Sequence, residues 1–167
     1  MKNSGRSLAR RLMLLGDKIS RIKHRKGHGV HSPFVYGFVR KVLMSKTLNT
    51  ELGTALYDSL IANGVADRRA KELHNLLVYI EGQSYSLNSV ECDLSILLAD
   101  YPTENLRAAF EEAKREGVTL AIFQPYLNRE RQSEVETLLE EHRSTTIDNR
   151  AYILFFNNHL PKQHYRL

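Results

Sequence analysis

The apolar residues of this chain keep two different periods, and the change from one to the other near Glu81 limits the fold more than any other feature. Up to that point the spacing is helical. Leu8, Leu12, Leu15, Ile19 and Ile22 recur at steps of four and three, which sets them on one face of a helix over residues 5–26. Gly27 and Gly29 end it, and Ser32-Pro33 starts the next helix. The serine hydroxyl serves as the cap, and proline lacks an N–H that a first helical residue would leave unbonded anyway. Phe34, Val35, Phe38, Val39, Val42 and Leu43 form the stripe of that helix, which runs to about Ser45. Leu52, Leu56 and Leu60, ahead of Gly64, predict a third helix. Ala70, Leu73, Leu76, Leu77 and Ile80, following a cap at Asp67, predict a fourth.

Beyond Glu81 the apolar runs are short and unbroken. Asp93–Asp100 (DLSILLAD) and Val118–Gln124 (VTLAIFQ) read as buried strands. Between them, Thr103–Glu116 reads as a helix that turns Leu106, Ala109, Phe110 and Ala113 inward and stops at Gly117. Asn128 is the expected cap of a further helix carrying Val135, Leu138 and Leu139. Ser144–Asp148 and Ala151–Asn157 flank a turn at Asn149-Arg150 and read as a hairpin. Strand, helix, strand, helix, hairpin implies an α/β fold: a parallel sheet with an antiparallel edge, preceded by an all-helical segment. Charge and spacing both shift between residues 45 and 50, which suggests a basic helical segment over 1–45 and an α/β domain over 46–167.

Charge is unevenly placed. Residues 1–41 carry eleven Lys/Arg against one acid, Asp17, whereas residues 42–167 carry thirteen against eighteen, so the net +5 comes from the first quarter of the chain. Any affinity for a polyanion is therefore expected there. The single cysteine, Cys92, allows no internal disulfide, and no apolar run approaches the ~20 residues of a membrane span, so a cytoplasmic setting is expected.

Three stretches occur together in a telling order: His24–Lys41 (HRKGHGVHSPFVYGFVRK), the strand–helix–strand unit Asp93–Arg129, and Thr145–Arg166 (TTIDNRAYILFFNNHLPKQHYR). They resemble a bacterial family of class I S-adenosylmethionine-dependent methyltransferase-like proteins. Its members carry an H-G-V/I-H-S-P-F segment ahead of a Rossmann-like core and a K-x-H tail after the last hairpin. The resemblance implies a Rossmann-like sheet and S-adenosylmethionine as cofactor. It also implies that the core opens with a strand ending in an E-x-G-type turn beside the cofactor. Val78-Tyr79-Ile80-Glu81-Gly82 is the matching stretch, which makes Glu81 and Gly82 candidate cofactor contacts.

Only residues 81–92, twelve in all, separate Ile80 from the strand at Asp93. One parallel strand–helix–strand unit takes ~30 residues and a parallel crossover alone about a dozen. The family's next two strands and their helices do not fit in that space. The cofactor-cradling half of the sheet is expected to be absent or drastically shortened, and cofactor binding to be lost with it.

Asp100 and Gln124 are placed at the carboxyl ends of neighbouring parallel strands, where open α/β sheets bind ligands, with Tyr101, Asn105 and Tyr126 along the same edge. Asp100 and Tyr101 are further candidate cofactor contacts, and Asp100 is the one candidate general base. Where the family has paired acids this chain has Gln124-Pro125, neither of which can take a proton. His24, His28 and His31 have no nearby Cys or acid to complete a metal site and follow a run of cations, so no metal is expected. Methyltransferase activity thus stands against two non-catalytic readings. One is a binding module whose residues 6–26 contact nucleic acid or an anionic membrane. The other is a structural partner, in a homo-oligomer or with an intact methyltransferase, that completes a sheet.

Overall fold

A computed structural model describes residues 32–167, so the basic helix expected over 5–26 and the His24, His28 and His31 group lie outside the described residues. Helix α1 (Pro33–Phe38) begins as the sequence requires: the Ser32 hydroxyl accepts the Val35 N–H at 3.4 Å and Pro33 occupies the first turn. It runs directly into a π-helical turn, Val39–Leu43. Helices α2 (Ala55–Ala62) and α3 (Asp67–Tyr79) follow, with Gly64 at φ +75° in the turn between them. Then come β1 (Tyr85–Leu87), β2 (Leu94–Leu97), a 3-10 turn (Thr103–Asn105) leading into α4 (Leu106–Glu116), and β3 (Thr119–Phe123). The chain ends with α5 (Arg129–Glu141), β4 (Thr145–Asp148), β5 (Tyr152–Phe155) and β6 (Gln163–Arg166).

The six strands form one mixed sheet in the order β1-β2-β3-β5-β4-β6. β1, β2 and β3 are mutually parallel, β5 is antiparallel to both β3 and β4, and β6 runs parallel to β4. The fold is thus mixed α/β with five α-helices among the described residues. Alternation along each central strand sorts the core onto two faces. Leu94, Ile96, Ala121, Phe123, Tyr152 and Leu154 join α1, α2 and α3; Leu97, Leu120, Ile122, Ile153 and Phe155 join α4 and α5. Val35, Phe38, Val39 and Val42 are part of the first cluster, so residues on both sides of position 45 share one core.

Three expectations need correction. Val78-Tyr79-Ile80 is not a strand: it is the half-buried last turn and cap of α3, with Tyr79 and Ile80 packed against the core that Leu73, Leu76 and Leu77 enter, and helical spacing prevails over the local run of β-formers. The first strand lies instead at Tyr85–Leu87, within the stretch 81–92, which holds this one short strand and no helix. The hairpin is real, but it is not an antiparallel edge. β5 is inserted beside β3 in the sheet interior, and the polar strand β6 forms the edge next to β4.

An aromatic cluster fixes α1 to the sheet. Phe34 meets Phe156 edge-on at 5.0 Å and Tyr79 at 5.3 Å, and the Tyr79 hydroxyl donates to the Phe34 carbonyl at 2.6 Å. Gly37 makes that approach possible, because a Cβ there would stand 2.6 Å from Tyr79 Oη. Gly37→Ala is expected to destabilise the fold by about 1–3 kcal/mol through overpacking. In the Tyr79→Phe background, where the obstructing oxygen is gone, the same change should cost clearly less. Denaturant unfolding of the four chains of this cycle reads the coupling, and equal costs in both backgrounds would contradict the contact.

Candidate functional site

The carboxyl ends of β1, β2 and β3 lie side by side, which brings Asn88, Asp100, Tyr101 and Gln124 to one edge of the sheet. Glu81 and Gly82 do not join them. They form the turn that ends α3 and precedes β1, at the opposite end of the sheet. Glu81 stands at φ 57°, the Gly82 N–H donates to the Leu77 carbonyl at 3.0 Å, and a Cβ on Gly82 would stand 2.8 Å from Leu77 Cδ1 and 3.0 Å from Asp93 Cβ. Gly82 is therefore explained by close packing of a helix end.

The edge that carries Asp100 is closed by the protein's own polar groups. Asn88, exposed and at φ 57°, turns its side chain back onto the end of β2. Its Oδ1 accepts the Leu98 N–H at 2.8 Å and its Nδ2 donates to Asp100 Oδ1 at 3.2 Å. Between β2 and β3 the same task falls to Arg131, 1% exposed, which α5 projects inward from its first turn. One of its guanidinium nitrogens donates to the Tyr101 carbonyl at 2.7 Å, and the other to the Leu98 and Phe123 carbonyls at 3.0 and 3.2 Å. Burial lowers the Arg131 pKa and the nearby Asp100 charge raises it, but a guanidinium stays protonated throughout. Position 131 is set by the Asn128 cap, whose Oδ1 accepts the Arg131 N–H at 2.8 Å.

The rest of the edge is closed in the same way. Gln124, at φ 46°, donates its N–H to the Ala151 carbonyl at 2.7 Å. Tyr126 donates its hydroxyl to buried Asp148 Oδ2 at 2.8 Å, and Asp148 Oδ1 accepts the Arg150 N–H at 2.7 Å. Asp100 is exposed, with one oxygen on Asn88, and desolvation, followed by the Glu112 charge, raises the Tyr101 hydroxyl above its usual range. A general base acts on a proton presented in a pocket. The residues that gather here form a hydrogen-bonded seam instead. Sequence reasoning found Asp100, Tyr101, Gln124 and Tyr126 but not Asn88, Arg131 or Asp148. For Arg131 a signal existed: it stands three residues after the asparagine cap and four before buried Val135, on the inward face of α5.

Open space lies at the other end of the sheet. A groove of about 1610 Å³ is bordered by Ser84, Asp93 and Thr119, at the amino ends of β1, β2 and β3, and by Phe156 at the exit of β5. Neither Asp100, Tyr101 nor Gln124 lines it, whereas Glu81, Gly82 and Cys92 do. Asp93 is held there by the Ser84 hydroxyl at 2.8 Å and by the Gln83 and Ser84 N–H groups at 2.9 Å each, and these bonds depress its pKa. No group of three or more potential metal ligands occurs among the described residues, and no described helix is long and apolar enough to cross a membrane.

Replacing Arg131 with Met keeps most of the buried stem and removes the bonds to three carbonyls. The expected loss is about 2–4 kcal/mol, or a fall in Tm of roughly 4–16 °C at this chain length. Thermal unfolding followed by circular dichroism measures it, and a change below about 0.5 kcal/mol would show that the buried cation is not what holds the seam.

No family model matches the chain, and no curated protein and no solved structure matches it either.

Proposed function

We propose that this chain is a shortened relative of the class I S-adenosylmethionine-dependent methyltransferase-like proteins, with a truncated Rossmann-like sheet, that has given up methyl transfer and serves as a binding module. The observation that carries this reading is the connection from β1 to β2. In the doubly wound order 3-2-1-4-5-6, the crevice for a nucleotide opens where the order reverses, between strands 1 and 4. β1, β2 and β3 read as strands 1, 4 and 5 of that order, and six residues, Asn88–Asp93, stand where strands 2 and 3 and their helices belong. β1 then becomes the sheet edge, no reversal remains, and Asn88 fills the corner where a cofactor would lie.

The residues do not fit S-adenosylmethionine. Ribose recognition in such sheets uses an acidic residue at the end of the second strand, the strand this chain is read to lack. Glu81 lies at the wrong end of β1 and Asp100 is engaged with Asn88. No methyl-transfer step is derived through them. The surfaces left for partners are residues 6–26, suited to nucleic acid or an anionic membrane, and the β1 edge, suited to a second copy or an intact methyltransferase.

Calorimetric titration of S-adenosylmethionine and of its demethylated product into the folded full chain tests this reading. No saturable heat is expected. Saturable binding with a Kd in the micromolar range, about −8 kcal/mol, would overturn it.

A further inference from the structure

We infer that the groove at the amino ends of β1, β2 and β3 is the seat of the chain's own basic segment, residues 5–26. The inference does not depend on the methyltransferase-like reading, since it uses only the groove, its charge and the sequence ahead of α1.

Charge is the first argument. The groove carries Glu51, Glu81, Glu91, Asp93, Glu112 and Glu116 against two cations, Arg40 and Lys41. Glu112 and Glu116 are already paired with Arg115, and Asp93 is bonded to Ser84 and Gln83. Glu51, Glu81 and Glu91 form no ion pair among the described residues. Residues 6–26 supply eight Lys/Arg with one acid, Asp17. A groove walled by protein concentrates its negative field, so a segment of opposite sign is favoured there.

Chemistry of the lining is the second. Among the acids the groove presents Phe34, Val78, Tyr79, Ile80, Val90 and Phe156. The segment matches this pattern with an apolar stripe, Leu8, Leu12, Leu15, Ile19 and Ile22, bordered by cations. A uniformly charged ligand such as a free polyamine would leave that apolar surface uncovered.

Attachment is the third. Phe34 is itself a lining residue, and only residues 27–33 separate it from Lys26. Seven residues reach at most about 25 Å, and Gly27 and Gly29 allow the chain to reverse. A tether this short holds the segment at an effective concentration of the order of mM. A contact with a Kd of only about 0.1 mM would then be closed about ten times as often as open.

Cys92 provides the test without any added cysteine, because it lines the groove, is half-buried and is the chain's one cysteine. A nitroxide attached to Cys92 in the full chain is expected to broaden the amide signals of residues 8–22, unchanged on dilution and weakened by high salt. A mixture of isotope-labelled chain and unlabelled, nitroxide-bearing chain distinguishes the occupants. Broadening in the mixture as well would mean that a second copy fills the groove, and broadening in neither sample would mean that the segment lies elsewhere; either overturns the inference. A second readout avoids the label. Leu12→Glu with Ile19→Glu, changes outside the core of the described fold, should speed maleimide modification of Cys92 by about tenfold, equivalent to ~1.4 kcal/mol. An unchanged rate would also overturn it.

Discussion

Six residues, Asn88–Asp93, return the chain from the end of β1 to the start of its parallel neighbour β2, and the rest of the sheet's arrangement depends on that return. Parallel neighbours ordinarily need a crossover of about a dozen residues. Here β1 has only three residues, about 10 Å of rise, and six extended residues can span about 20 Å. Asn88 at φ 57° reverses the direction, a conformation that asparagine tolerates better than most residues. The Ser86 hydroxyl donates to the Ser89 carbonyl at 2.8 Å, and Val90 anchors the loop among Leu97, Leu106 and Ala109. A β1 of six residues, about 20 Å of rise, would use up the whole reach. The short strand and the short loop are one solution.

That return also accounts for the contrast between the two ends of the sheet. With no strands beyond β1, the carboxyl edge has no crevice to keep open, and its buried carbonyls and N–H groups, those of Leu98 and Phe123 among them, need internal partners. Asn88 and Arg131 supply them, at the corner of β1 with β2 and at the junction of β2 with β3. At the amino end Asp93 binds the Gln83 and Ser84 N–H groups but leaves the space beside it open. That end keeps a wide groove whose acids outnumber its cations, on the side of the fold where α1 enters. The position at which α/β sheets present ligands is filled with structure, while the opposite position keeps the open groove proposed as the seat of residues 5–26.

Much of the fold was legible because it follows from period and punctuation. The Asn128 cap, the left-handed Gly117 at φ 72° and the hairpin about Asn149-Arg150 all stand where the sequence places them. The misses have physical reasons. Val78-Tyr79-Ile80 has the composition of a strand, yet Leu73, Leu76 and Leu77 had already set a buried helical face, and it forms the half-buried last turn and cap of that helix. β1 is too short for alternation to show, and β6 (QHYR) is an exposed edge strand with no apolar signature at all. At the candidate site, strand-end position correctly brought Asp100, Tyr101 and Gln124 together. Arg131 shares the inward face of α5 with Val135, but its charge hid that spacing, because a charged residue in the first turn of a polar helix ordinarily faces water.

The most direct test of the closed edge is native-state hydrogen exchange at the Leu98 amide, which donates to Asn88 Oδ1 at 2.8 Å and to no described backbone carbonyl. If Asn88 closes the sheet as described, Leu98 should exchange as slowly as the amides of β2, opening only with the sheet itself. Exchange at the rate of an exposed loop amide, with β2 still protected, would contradict the closure and return the carboxyl edge to the list of open ligand sites.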